Sequence, residues 1–195
     1  MALRPAHVDK RHALRRHADA AYPAVTSVEV VVGRPSAAAL LLAYTVSGDI
    51  ADLALPPVAA PARTAELWRH TCFEAFIGMP GGTYYEFNFA PSTQWAAYRF
   101  SGYRKGMRTA TEITAPQLAV DASAGCFMLR ATLDLGAAVS AAGGAVRAAW
   151  RLGLSAVIEE RSGRQSHWAL AHPPGKPDFH HADGFALDWP DTGRP

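Results

Sequence analysis

Leu67-Trp-Arg-His-Thr-Cys-Phe-Glu-Ala-Phe-Ile-Gly78, a turn at Gly81-Gly82, Thr83-Tyr-Tyr-Glu-Phe-Asn-Phe-Ala-Pro91, and Gln94-Trp-Ala-Ala-Tyr-Arg-Phe100 decide the fold class. Each run has the length of a strand and alternates two kinds of side chain. Phe73, Ala75 and Ile77 fall on one face of the first run, with Cys72, Glu74 and Phe76 on the other. Tyr85, Phe87 and Phe89 share a face of the second, opposite Tyr84, Glu86 and Asn88. A strand that presents polar groups and aromatics on one side borders either water or a ligand site.

Outward from this block the same signal continues. Ser27-Val-Glu-Val-Val-Val and Ala39-Leu-Leu-Leu-Ala-Tyr-Thr-Val are β-branched or apolar runs stopped by Gly33-Arg-Pro-Ser and Ser47-Gly-Asp, and together they read as a hairpin. Gln117 to Asp121, Cys126 to Leu133, Leu152 to Ile158, the stretch from His167 and a closing Phe185-Ala-Leu-Asp-Trp read as further strands. Leu55-Pro-Pro to Leu67 reads as a Pro- and Ala-rich loop with one helical turn near Arg63 to Glu66. Ala137 to Trp150 holds the only long alanine run that could be helical, broken at Gly143-Gly144. Strand-sized runs without βαβ alternation predict an all-β protein, a two-sheet antiparallel β-sandwich with one or two short helices. Residues 1–24 are expected to form an N-terminal arm or short helix, ended by Tyr22-Pro23, and residues 25–190 a single sandwich domain.

Composition narrows the function classes. The chain has 195 residues, 39 of them alanine, so leucines and strand aromatics must supply most of the core. Two cysteines, Cys72 and Cys126, are too few for a disulfide framework and form no Cys-x-x-Cys pair. A net charge of +2, with 16 arginines against three lysines and no continuous basic run, gives no nucleic-acid signature. No apolar stretch approaches the roughly 18 residues that cross a membrane, and no apolar region follows the basic start, so the expected location is the cytoplasm. Walker, Gly-x-Gly-x-x-Gly and Gly-x-Ser-x-Gly motifs are absent, which favours a binding module over an enzyme.

Trp68, Glu74 in a strand ending at Gly78, Tyr84-Tyr-Glu-Phe-Asn-Phe with Pro91-Ser behind it, and Pro177-Asp-Phe-His-His before Phe185-Ala-Leu resemble, in order and spacing, the DOMON-like superfamily, which includes the family 9 carbohydrate-binding modules. The resemblance spans Leu40 to Trp189 and is strongest in Leu67 to Met107 and His167 to Leu187. It implies a jelly-roll-like or immunoglobulin-like sandwich that binds sugar or haem at one end. For a sugar, it places Trp68 and Phe179 as aromatic walls, Glu74 as a carboxylate partner and Glu86 where such modules carry an amide. An aromatic face suits the C–H face of a pyranose, and ionised acceptors bond hydroxyls strongly. Phe179 in place of Trp and Glu86 in place of an amide are departures that imply a different ligand.

The expected ligand is therefore a saccharide or sugar-containing metabolite, with Trp68, Glu74, Glu86, Asn88 and Phe179 around it and Arg99, Arg104, Lys176 and His180 as anion or rim contacts. Two alternatives accompany it. Haem b would use Met79, Met107, His180 or His181 as axial ligands, as the resemblance implies. An enzyme acting on a sugar or sugar nucleotide would use Glu74 and Glu86 as acid and base, if their strands are neighbours. No metal site is expected from His167, His172, His180 and His181, because their spacing lacks a helical ligand frame and adjacent strand residues face apart. Phe73, Phe87 and Phe89 read as core, whereas Trp68, among Glu66, Arg69 and His70, suits either core or platform. Arg99, Tyr103, Arg104 and Lys105 form a basic-aromatic patch that is either an anion contact or a solvated edge.

Overall fold

The computed structural model describes residues 10–19, 24–36, 38–141 and 150–188. Twelve strands account for nearly all of its regular structure: β1 (Lys10–Arg16), β2 (Val25–Ser36), β3 (Ala39–Gly48), β4 (Cys72–Gly78), β5 (Tyr84–Phe89), β6 (Trp95–Phe100), β7 (Arg108–Thr109), β8 (Gln117–Ser123), β9 (Cys126–Asp134), β10 (Arg151–Glu159), β11 (Gln165–Ala169) and β12 (Leu187–Asp188). One short helix, α1 (Gly136–Ala141), opens the alanine run; the remainder of that run, residues 142–149, lies outside the described residues. The helical turn expected at Arg63 to Glu66 occurs one step later, as a 3-10 turn over Leu67–Arg69. The closing strand begins two residues later than expected, with Leu187–Asp188 pairing with the start of β10, and Trp189 lies outside the described residues.

The all-β expectation holds, and the arrangement is a curled sheet. Its strands run in the order β7-β6-β5-β4-β10-β11-β1-β2-β3-β9-β8, each paired antiparallel with the next. Two separate sheets were expected; instead one hydrogen-bonded path continues from end to end. Its join is β1, whose Lys10 to Leu14 pair with β2 while Arg15 and Arg16 pair with Ala169 and Trp168 of β11. The expected N-terminal arm thus contributes a mid-sheet strand at Lys10–Arg16.

Curling brings the two limbs face to face. Val28, Val30, Leu40, Leu42, Tyr44, Phe127 and Leu129 of one limb share a cluster with Phe73, Ile77, Tyr85, Phe87 and Phe89 of the other. Phe73 joins them directly: its ring lies 5.2 Å from Tyr44 and stacks on Phe127 at 5.8 Å. The Tyr44 hydroxyl, fully buried, donates to the Glu74 carbonyl at 2.7 Å, which satisfies a polar atom taken into this core. Burial of Phe73 or Phe87, each with no exposed surface, is worth about 1.5–3 kcal/mol apiece in removed apolar area.

The opposite face of β4, β5 and β6 carries a second apolar cluster: Phe76, Tyr84, Ala96, Tyr98, Phe100 and Phe185, joined by the partly buried Leu67, Trp68 and Phe179. No strand covers this face among the described residues. Three irregular segments do: the loop ending in the 69-region turn, the loop 101–107 and the Pro-rich stretch 173–186. Arg63 pins the first, lying 4.1 Å over the Trp95 ring and donating to the carbonyls of Ala97, Ala110 and Ile113. Phe185 pins the third, seated where Gly78 leaves room; a β-carbon at Gly78 would come within 3.0 Å of its ring.

Candidate functional site

The alternation of β4 and β5 sends Glu74, Glu86 and Asn88 to the loop-covered face. Register places Glu74 opposite Asn88 and Phe76 opposite Glu86, so the two glutamates are diagonal neighbours on one surface. They form the floor of a cavity of about 380 Å³, bordered by Trp68, Phe100, Met107, Phe179, His167, Arg104 and His180. That volume falls within the usual range for small-molecule pockets, roughly 300–1,000 Å³. Trp68 reaches the cavity because its 3-10 turn begins after Glu66, whose left-handed φ of 61° reverses the chain, and its ring meets Tyr98 edge-on at 5.7 Å.

Six of the nine residues singled out in the sequence line this cavity: Trp68, Glu74, Glu86, Arg104, Phe179 and His180. Lys176 lines an adjoining cavity of about 400 Å³ that shares Arg104 and Pro177 with it. Asn88 is fully buried beneath, where its amide donates to Glu86 Oε1 at 2.7 Å, so it props a carboxylate. Arg99 faces the other way. Alternation along β6 puts Tyr98 and Phe100 on the cavity face, and Arg99 lies 5.6 Å over the ring of Tyr85 on the opposite side. The cavity opens on the outer face of β4, β5 and β10, whereas an end of the sandwich was expected. Phe100, Met107, His167, Val157 and Pro177 also line it, and β6 alternation alone would have nominated Phe100.

Electrostatics distinguish the floor. Glu74 and Glu86 are only 3% and 4% exposed. Burial, and then the negative charge of Glu86, push the Glu74 carboxyl well above the ordinary range, against a hydrogen bond from Ser155 Oγ at 3.1 Å. Burial raises Glu86 to about 7, with the Asn88 hydrogen bond and the Arg104 charge pulling the other way. The floor therefore holds two carboxyls whose neutral forms burial favours, and Glu86 is near its titration midpoint at neutral pH, a donor when protonated and an acceptor when not. Cys72, beneath them, has its thiol raised by burial and by both carboxylates, which leaves it a poor nucleophile.

The rim is tied together by a chain of polar contacts. Arg104, in the left-handed region at φ 52°, pairs with Asp178 at 2.7 Å, and its backbone N–H donates to the Tyr84 hydroxyl at 3.2 Å. Tyr103 donates to the same Asp178, and the His180 backbone N–H donates to it at 3.1 Å. Burial opposes charge on Asp178, but the bonds from Tyr103 and Arg104 outweigh it and hold its carboxyl below the ordinary value. His180 is pushed down to about 4 by burial and by Arg104, so its ring is neutral at pH 7. The Tyr84 hydroxyl and His180 Nδ1 share a hydrogen bond of 2.8 Å, and His180 Nε2 faces Glu86 Oε2 at 3.7 Å. Of the side chains expected as haem ligands, His180 and Met107 border this cavity, and His181 stands outside it. Met79 is packed in the main core. No group of three or more His, Cys, Asp or Glu among the described residues could hold a metal ion.

No family model matches the sequence, and no curated protein matches it. Among solved structures, one of a protein from Bacteroides uniformis ATCC 8492, proposed to be carbohydrate-binding, superposes with a TM-score of 0.61 at 13% identity, covering 90% of this chain and 84% of that one. At that identity the likeness is one of fold. No described helix is long and apolar enough to cross a membrane.

Proposed function

We propose that this protein is a saccharide-binding module that holds a sugar ring over Glu74 and Glu86, between Trp68 and Phe179. The observation that carries this reading is the composition of one cavity: aromatic side chains stand at its walls and two buried carboxyls at its floor, drawn from segments far apart in sequence. Rings offer apolar faces to sugar C–H groups, and the carboxyls offer both a donor and acceptors to hydroxyls. The shared fold with the Bacteroides protein proposed to bind carbohydrate lends support by analogy. So does the resemblance of the sequence to DOMON-like sandwiches and family 9 modules. Titration calorimetry against a panel of mono- and oligosaccharides tests it. Saturable binding weakened at least about tenfold in Trp68→Ala and Glu86→Gln is expected; unchanged affinity in both variants overturns the assignment.

A second reading, hydrolysis or transfer at a glycosidic bond, is favoured by one observation: two carboxyls with raised proton affinity share the cavity floor. Turnover of a bound glycoside that is lost in both Glu74→Gln and Glu86→Gln supports it, and turnover retained in both excludes that pair.

A further inference from the structure

A second cavity, of about 690 Å³, adjoins the first, and His180 stands in the walls of both. Its chemistry is different. Met79, Phe185 and the ring of Tyr84 form its apolar lining, with Gly78, Gly82 and Ala182 leaving it open. Several of the polar groups on its border already have partners within the chain. The Tyr84 hydroxyl serves His180 and the Arg104 N–H. Arg151 donates through Nε to the Phe185 carbonyl and pairs with Asp188, and Asp183 pairs with His181. In the first cavity, by contrast, Glu74 Oε1 and Glu86 Oε2 accept no hydrogen bond from the described residues. A sugar ring in the second cavity would cover a lining that is mainly apolar, whereas an apolar group there buries its surface against Met79, Phe185 and the Tyr84 ring. Tyr103, 54% exposed, stands on the loop that borders this cavity and adds a further apolar surface at its mouth.

Resting on the saccharide reading above, we propose that the ligand has two parts: a sugar ring over the carboxyl floor and an apolar aglycone, aryl or short alkyl, that passes His180 into the second cavity. The chain would thus take glycosides of apolar alcohols or phenols in preference to free sugars. Matched methyl and phenyl glycosides of several pyranoses, titrated into the wild-type protein, test this directly. The phenyl compound of a binding pair is expected to bind at least about tenfold tighter. Ala182→Trp fills the second cavity from an exposed position and is expected to erase that advantage while leaving methyl glycoside affinity within about twofold. Thr83→Trp, entering from the β5 side, repeats the test should the first variant fold poorly. Equal affinity for methyl and phenyl partners, or a phenyl advantage that survives both tryptophans, overturns the two-part ligand and leaves the saccharide reading standing. Failure of every glycoside of either kind to bind removes both.

Discussion

β4, β5 and β6 are buried on both faces, and the two faces differ in what covers them. Toward the other limb they present Phe73, Ala75, Ile77, Tyr85, Phe87, Phe89 and Ala97, packed against strands. Away from it they present Glu74, Phe76, Tyr84, Glu86, Asn88, Tyr98 and Phe100, covered by loops that leave cavities. A face needed only for packing gains nothing from two carboxyls held 3–4% exposed and shifted toward their neutral forms. The contrast separates the side that holds the fold together from the side where the fold tolerates cost, which is where binding chemistry concentrates.

The largest effect that could break this contrast is on the packed side. Phe87→Ala should cost about 3–5 kcal/mol in chemical denaturation; a loss below ~1 kcal/mol would mean the inner face is not the core. The next lies on the other side and has a definite sign. Glu86 binds its proton more tightly folded, at about 7, than at its ordinary 4.5, so its contribution to stability is complete below about pH 4.5 and is lost as pH rises through 7. The wild type should therefore lose on the order of 2–3 kcal/mol more than Glu86→Gln between pH 4.5 and 8. Parallel pH profiles for the two proteins would show that the floor carries no such strain. Trp68→Ala, third in size, should weaken saccharide binding about tenfold, near 1.4 kcal/mol, with a stability loss of ~1 kcal/mol or less by thermal melting. Smallest is Arg99→Ala, which sits on the packed side over Tyr85: affinity should stay within about twofold and stability within ~1 kcal/mol. A large affinity loss there would return Arg99 to the site.

The two faces were legible in sequence because alternation is local: Phe73 and Glu74 take opposite sides wherever the strand pairs. The same rule, carried into β6, separates Arg99 from Tyr98 and Phe100, and its basic character drew it into the site against that geometry. Trp68, Phe179 and His180 were reached through the resemblance, since nothing in the loops themselves fixes how far they fold over the sheet. β1 was illegible for a different reason. Only Leu14 of Lys10-Arg-His-Ala-Leu-Arg-Arg16 is buried, so its hydropathy carries no strand signal; its conformation comes from the backbone bonds of β2 and β11 on either side. Likewise the cavity's position on an outer face, not an end, depends on where 173–186 lies, a long-range outcome of Phe185 meeting Gly78.

The join at β1 also sets an order of events during synthesis. β2 emerges from the ribosome soon after β1, but β11 follows on the order of 150 residues later, which at the usual pace of translation is roughly ten to thirty seconds. For that interval the Arg15–Arg16 end of β1 is an open edge, the kind that recruits strands from neighbouring chains. Arg15 and Arg16, with Lys10 and Arg11 along the same strand, make it a positively charged edge, so two nascent copies repel each other there. The residues that hid β1 from a hydropathy reading are thus the ones that keep the unfinished sheet from pairing with a second chain before its own β11 arrives.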